Sequence, residues 1–284
     1  MSLDDILGIN RRNIDYIMEL NKREHHMIVN DKLATKKILD TNNIPSAHLL
    51  ASCNSFFGIE EFLASVSEVS RFVVKPSKGA RGNGIIVVEE TREGFWYLSG
   101  SIKWSHEKQR EHLENILYGI CSMDSICDTA FAEELIETHP ELGYFTQEGL
   151  PDIRFIVYRS KPVASMLRVP TQHSQGKSNL HAGGFALDID LSIGVTGRGW
   201  YCGQYIDNHP ETGVPLSGRR IPWWKEIINL VARLPELFPL GYLGIDISID
   251  ASKGPLVLEL NAQPGLEIQN VTKRGMRSLL GNTL

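Results

Sequence analysis

Three residues near the C-terminus have side chains suited to gripping a hard cation through oxygen: Asp246, Glu259 and Asn261, in the stretch GYLGIDISIDASKGPLVLELNAQPGLE. Ile245, Ile247 and Ile249 alternate with Asp246, Ser248 and Asp250, which predicts a strand from Leu243 to Ile249. Leu256, Leu258 and Leu260 alternate with Val257, Glu259 and Asn261, which predicts a partner strand from Leu256 to Asn261. Residues two apart on a strand share a face, so Glu259 and Asn261 point the same way. A four-residue turn at Ala251 to Gly254 sets Asp246 opposite Glu259. Facing carboxylates repel each other, and a divalent cation such as Mg²⁺ removes that cost. A hairpin with one wet, acidic face has the same pattern. Spacing alone leaves both readings open.

A second stretch with chemical content is RFVVKPSKGARGNGIIVVE, Arg71 to Glu89. Strand-like runs at Phe72 to Val74 and Ile85 to Val88 flank a loop holding Gly79, Gly82 and Gly84, and Lys75 ends the first run. Glycines let backbone N–H groups approach an anion closely, and the lysine adds charge. The loop lacks GxxxxGK[ST], and a strand follows it where a Rossmann turn has a helix. It fits a flexible hairpin that covers phosphates, or a Gly-rich hairpin with no ligand at all.

The surrounding elements follow from periodicity and punctuation. Asn10 to His26 carries Ile14, Ile17 and Met18 at helical spacing. Asn30-Asp31 caps a helix over Lys32 to Thr41 that Asn42-Asn43-Ile44-Pro45 ends; Lys36 and Lys37 are read as its solvated face. Further helices are expected at Ile59 to Ser67, at Ser105 to Cys121 on an Ile116, Leu117, Ile120 face, and at Trp223 to Leu234 with both tryptophans in the core. Strands are expected at Phe131 to Ile136, Ile153 to Tyr158 and Val163 to Val169, the last two joined by a turn at Arg159 to Pro162. Arg154 and Arg168 on these strands could face solvent or a site. Ser178 to Gly184 is a polar, glycine-rich loop, and Ile206 to Pro222 is rich in turns.

The 284 residues carry a formal net charge of -5. That gives no net positive field for nucleic acid. Cys53, Cys121, Cys127 and Cys202 lie far apart with no CxxC, and read as free thiols in a reducing compartment. No run approaches about 18 apolar residues, so no membrane span is expected and a cytoplasmic location is the default. No Ser/His/Asp or Cys/His arrangement points to a protein nucleophile.

Taken in order, VVKPSKGARGNG, AEELI, DIRFIV, SNLHAGG, GIDI and LELNAQPGLE resemble the ATP-grasp ligases. The resemblance is greatest to the glutamate-ligase branch typified by the ribosomal-protein glutamate ligases. HPETGVPLSGRRIPWW further resembles the alpha-L-glutamate ligase-related, sugar-transfer-associated sub-branch. The likeness covers about Asp31 to Glu267. It implies an α+β fold in which two subdomains grip ATP. A helical region at 1–30 would stand in place of a full N-terminal domain, a small subdomain at 31–130 would carry the Gly-rich hairpin, and 131–284 would carry the metal site with an inserted segment at 185–222. That insert is expected to form an extra β-hairpin near the acceptor site.

The resemblance also implies roles. Lys32 and Lys75 would contact the ATP phosphates, with Ser77, Gly79, Arg81, Gly82 and Gly84 folded over them. Glu133, Glu134 and the backbone of Leu135 would line the adenine site, and Asp152 would touch the ribose. Asp246, Glu259 and Asn261 would hold one or two Mg²⁺, with Mn²⁺ as a substitute. Arg168, Asn179 and His181 would border the acyl-phosphate and acceptor site. The implied activity is ATP-dependent joining of an amino acid such as glutamate, through an acyl phosphate, to a peptide, protein or envelope-precursor amine. An amino-sugar or glycan amine is the alternative acceptor, and an ATP-binding regulatory module without chemistry is the alternative class. A partner protein or a second copy of the chain could complete the substrate site.

Overall fold

The computed structural model describes residues 2–79, 82–122, 127–146 and 148–281. The expected contact through Arg81 lies outside them. The chain divides into two compact units, one of Met1–Asn30, Lys37–Ser46 and Glu137–Leu284, the other of Asp31–Lys36 and Ala47–Ile136.

The second unit is built on a six-stranded antiparallel sheet. Its strands are β1 (Leu49–Cys53), β2 (Phe72–Pro76), β3 (Ile86–Arg92), β4 (Phe95–Leu98), β5 (Ile102–Trp104) and β6 (Ala130–Glu134), in the order β1-β6-β2-β3-β4-β5. Phe72, Val74, Val88 and Trp96 pack against Ile59 and Phe62 of the helix Ile59–Ser65 and Leu113, Ile116 and Leu117 of the helix His106–Leu117. The latter helix stops four residues short of the expected Cys121. Ile120 is 68% exposed rather than part of the apolar face.

The first unit carries a seven-stranded antiparallel sheet. Its strands are β7 (Asp152–Tyr158), β8 (Lys161–Val169), β9 (Phe185–Asp190), β10 (Val195–Tyr201), β11 (Gln204–Ile206), β12 (Tyr242–Asp250) and β13 (Gly254–Asn261), in the order β11-β10-β9-β8-β7-β12-β13. The 185–222 segment thus begins as a three-stranded meander that extends the sheet. The β7–β8 connection is two residues long, with Arg159 and Ser160 both at positive φ (47° and 64°) and Tyr158 paired to Lys161. Such a turn matches strand twist better than the four-residue turn expected from the proline.

Both faces of the central strands are covered. Ile245, Ile247 and Ile249 pack with Ile227, Val231 and Leu234 of the helix Trp224–Leu237. Ile156, Met166 and Tyr242 pack with Ile268, Val271, Met276 and Ile17 in a separate cluster. The N-terminal segment is broken into Ile9–Arg12, a π-helical turn at Asn13–Met18, and Arg23–Val29. Of its expected stripe only Ile17 is buried; Ile14 and Met18 are exposed. Trp223 is also exposed, at a left-handed φ of 58°, while Trp224 stacks on Phe155 and donates to the Leu191 carbonyl at 3.1 Å.

The β12–β13 hairpin differs from its expected form in a way that matters. Asp250 pairs with Gly254, so the turn has three residues rather than four. Asp250 caps that turn: Oδ1 accepts from Ser252 N (2.8 Å), Ser252 Oγ (2.8 Å) and Lys253 N (2.9 Å), and Oδ2 accepts from Glu137 N (3.0 Å). Pairing then runs regularly to Ile247 and Val257, where Leu258 is left without a partner and Asp246 meets Glu259. This β-bulge changes the facing of β13. Val257 joins Leu260 in the core, rather than sharing a face with Glu259 as simple alternation requires.

Candidate functional site

In the first unit, register alone brings four charged side chains together. Asp246 on β12 pairs with Arg154 on β7, and Asp152, two residues earlier on β7, pairs with Arg168 on β8. Both Arg154 nitrogens Nε and Nη2 donate to the Asp246 carboxylate, the latter at 2.6 Å, and Arg168 Nη2 donates to Asp246 Oδ2 at 2.8 Å. Arg168 Nε also donates to Asp152 Oδ1 at 2.7 Å. Asp246 is 3% and Asp152 5% exposed, which rules out the wet-face reading of the hairpin. Arg154 carried no role in the sequence reading, though its i+2 spacing from Asp152 on an alternating strand was a usable signal.

The electrostatics follow from burial and these pairings. Burial works against the Asp246 charge, but Arg154 and then Arg168 outweigh it and hold its carboxyl below the ordinary carboxylate range. Asp152 goes the other way: burial, reinforced by the Asp246 charge, pushes it up to about 6 against the pull of Arg168 and Arg154. For Arg168, burial favours loss of the proton, yet Asp152, Asp246 and Glu259 together raise its pKa above the ordinary guanidinium value.

Glu259 and Asn261 complete the set. Glu259 stands opposite Asp246, and Asn261 opposite Gly244. Among the described residues the half-buried Glu259 carboxylate has no hydrogen bond or ion pair. Asn261 Oδ1 accepts from Gln263 N at 2.9 Å. A carboxylate offers about four lone-pair directions; the guanidinium N–H groups occupy three on Asp246, which leaves one on Oδ1. The donors are hard oxygens, the kind Mg²⁺ prefers, and the unpaired Glu259 supplies negative charge. The set fits such an ion. It is a mixed carboxylate–amide set; no cluster of three or more His, Cys, Asp or Glu side chains is gathered for a metal among the described residues.

The second unit holds the other candidates. Asp31 caps the helix Lys32–Thr41, its Oδ1 accepting from Leu33 N and Ala34 N at 3.0 Å each and from Ser77 Oγ at 2.5 Å. Ser77 is 1% exposed, so its hydroxyl serves the loop base rather than an open surface. Lys32 Nζ donates to the Gly79 carbonyl at 2.5 Å. Asp128, which the sequence reading passed over, anchors the loop's start: it accepts from Lys78 N at 3.0 Å and Ser122 Oγ at 2.7 Å. Gly82 and Gly84 sit at positive φ (76° and 74°), and a Cβ on Gly84 would stand 2.6 Å from Cys121 Sγ.

Lys75 on β2 donates to Glu133 on the neighbouring β6, and Lys36 lies 3.0 Å from the same carboxylate. Lys36 is therefore no solvated lysine. It is 7% exposed and also donates to the Ala47 carbonyl, because its helical position faces β6. Lys37 is exposed as expected. Glu133 is held below the ordinary range, the cost of its burial being outweighed by Lys75 and then Lys36. Glu134 and Leu135 are half-buried at the end of β6.

Asn179 and His181 lie in a loop tied to the end of β8. Thr171 Oγ1 donates to the Gly183 carbonyl at 2.9 Å, and Asn179 Oδ1 accepts from His181 N at 3.0 Å. His181 Nε2 is 3.1 Å from Glu267 Oε1. All four cysteines are free, and no helix of the described residues is long and apolar enough to cross a membrane.

Comparison with known proteins gives this geometry a context. A probable alpha-L-glutamate ligase of Saccharophagus degradans is 29% identical over 140 residues, 48% of this chain and 35% of that protein. The corresponding protein of Pseudomonas syringae pv. tomato is 30% identical over 155 residues, 52% of this chain and 40% of that protein. The chain thus spans two fifths or less of these relatives. A RiPP-associated ATP-grasp ligase of Chryseobacterium gregarium, solved with ADP and a leader and core peptide, is similar in fold: TM-score 0.51, 14% identity, 93% of this chain and 62% of that one. The model of the sugar-transfer associated ATP-grasp family matches residues 11–284. The fold is the α+β ATP-grasp fold, and the chain belongs to the sugar-transfer associated ATP-grasp family.

Proposed function

We propose that this protein is an ATP-dependent ligase that activates a carboxylate as an acyl phosphate and passes it to an amine, releasing ADP and phosphate. The observation that carries the reading is the opposed pair Asp246 and Glu259 on one hairpin, with a buried arginine, Arg168, bound to the first and within the field of the second. Lys32 and Lys75 hold phosphate oxygens beside Gly79, Gly82 and Gly84, Lys36 supports Lys75 through Glu133, and Glu134 with Leu135 borders the adenine. Asp152 supports Arg168, a role its burial suits better than ribose contact. Mg²⁺ held by Asp246, Glu259 and Asn261 would neutralise charge on the transferring phosphoryl group. Arg168 stabilises the oxyanion that forms when the amine attacks the acyl carbon.

The glutamate-ligase names of the relatives support an amino acid such as glutamate as one substrate. The peptide-bound ligase of similar fold supports a peptide or protein amine as the other. A second reading, a glycan-linked or amino-sugar amine, is favoured by the family's sugar-transfer association. The test is phosphate release from Mg-ATP with pooled amino acids and dipeptides, against Glu259→Gln. Release that requires a pool and is lost in the variant is expected. Equal release in the variant overturns the assignment.

A further inference from the structure

The His181–Glu267 contact has no role yet in the ligase reading, and any part it plays in catalysis rests on that reading. The two residues are 86 positions apart in the chain but come from segments that start at the site. His181 lies in the loop between β8, which carries Arg168, and β9; that loop is fastened to the end of β8 by Thr171 and Gly183. Glu267 lies six residues beyond Asn261. The intervening turn packs on β12 two residues from Asp246, since a Cβ on Gly244 would stand 2.8 Å from Pro264 Cβ. Arg12 Nη1 pins the same turn by donating to the Pro264 carbonyl at 2.7 Å. The Glu267 side chain folds back over that turn, with Oε2 2.9 Å from where a Gly265 Cβ would be.

An exposed histidine–carboxylate pair contributes little to stability, and the His181 side chain is 75% exposed. Stability does not account for two anchored loops converging to make it. The Glu267 carboxylate, 3.1 Å from Nε2, favours the proton on that nitrogen and so the lone pair on Nδ1. We infer that His181, oriented by Glu267, is the proton acceptor for the incoming amine. As the amine nitrogen attacks the acyl carbon, the C–N bond forms and the C–O bond to phosphate breaks. Phosphate leaves with that electron pair, and the excess proton on nitrogen passes to His181 Nδ1. Glu267 is a positioning residue that stabilises the resulting imidazolium.

The experiment compares two nucleophiles on wild type, His181→Gln and Glu267→Gln, using Mg-ATP with pooled amino acids as carboxylates. Hydroxylamine, neutral near pH 7, traps an acyl phosphate without a general base; pooled dipeptides supply ordinary amines that need one. Removing a general base typically costs about 10²–10⁴-fold. The expected result for His181→Gln is amide formation reduced at least 10²-fold with hydroxamate formation within about threefold of wild type. Glu267→Gln should give an intermediate loss of amide formation. Amide formation within threefold of wild type in His181→Gln overturns the inference and leaves the ligase reading standing. Equal loss of both products also overturns it, placing the residue before amine attack. A wild type that forms neither product overturns the ligase reading itself.

Discussion

Replacing Glu133 with glutamine tests the charge balance of the second unit. Glu133 is 6% exposed and faces two ammonium groups, Lys75 on the adjacent strand and Lys36 at 3.0 Å. Glutamine keeps the shape and one acceptor oxygen but removes the carboxylate charge that faces them. Removing one partner of a buried ion pair costs about 3–5 kcal/mol, because the other charge is left uncompensated. The retained carbonyl can still accept a hydrogen bond, which places the expected loss at about 3 kcal/mol. With urea m-values of about 1–3 kcal/mol/M, the unfolding midpoint followed by circular dichroism should fall by about 1–3 M. The pH dependence gives an independent check. The folded carboxyl lies below its unfolded value of 4.5, so its stabilisation is complete above that pH and is lost as pH falls through the folded value. Wild type should therefore lose stability in acid more steeply than the variant, and the two curves should converge. A midpoint within about 0.3 M of wild type at pH 7 would refute the reasoning.

Asp246 and Glu259 should part company when each is made neutral. Asp246→Asn leaves Arg154 and Arg168 under-compensated in a buried cluster and should cost about 3 kcal/mol, whereas Glu259→Gln, with no partner to abandon, should stay within about 0.5 kcal/mol; urea melts of both variants measure the difference. Gly84→Ala should lower stability by about 1–3 kcal/mol, read as a shift in melting temperature, since φ is +74° there and the new methyl meets Cys121 Sγ.

The strands carrying Asp246 and Glu259 were legible because alternation of apolar with polar residues marks a strand whichever way its faces turn. Lys36 was not legible. A lysine on a helix shows nothing in sequence of whether its face meets water or, as here, a carboxylate arriving from 97 residues away. Ile14, Met18 and Ile120 have helical spacing but no partner surface, which only tertiary packing decides. Arg154 and Arg168 looked equivalent to solvent-facing strand residues until the register of β7 with β8 and β12 set them against Asp152 and Asp246. The three-residue turn and the Leu258 bulge left no trace either, since Val257 and Leu258 suit either face.

That bulge makes the candidate metal pair a matter of counting rather than of residue identity. With a three-residue turn and regular pairing, Asp246 would stand beside Leu258, and Glu259 and Asn261 would project into the core. One spare residue returns them to the side of Asp246. Inserting one residue beside Leu258, with the single bulge kept, would therefore disarm the hairpin while leaving every candidate ligand in the chain, whereas deleting Leu258 would leave Glu259 opposite Asp246. A survey by substitution alone would pass over this position, because a leucine, a valine or an isoleucine keeps the count equally well.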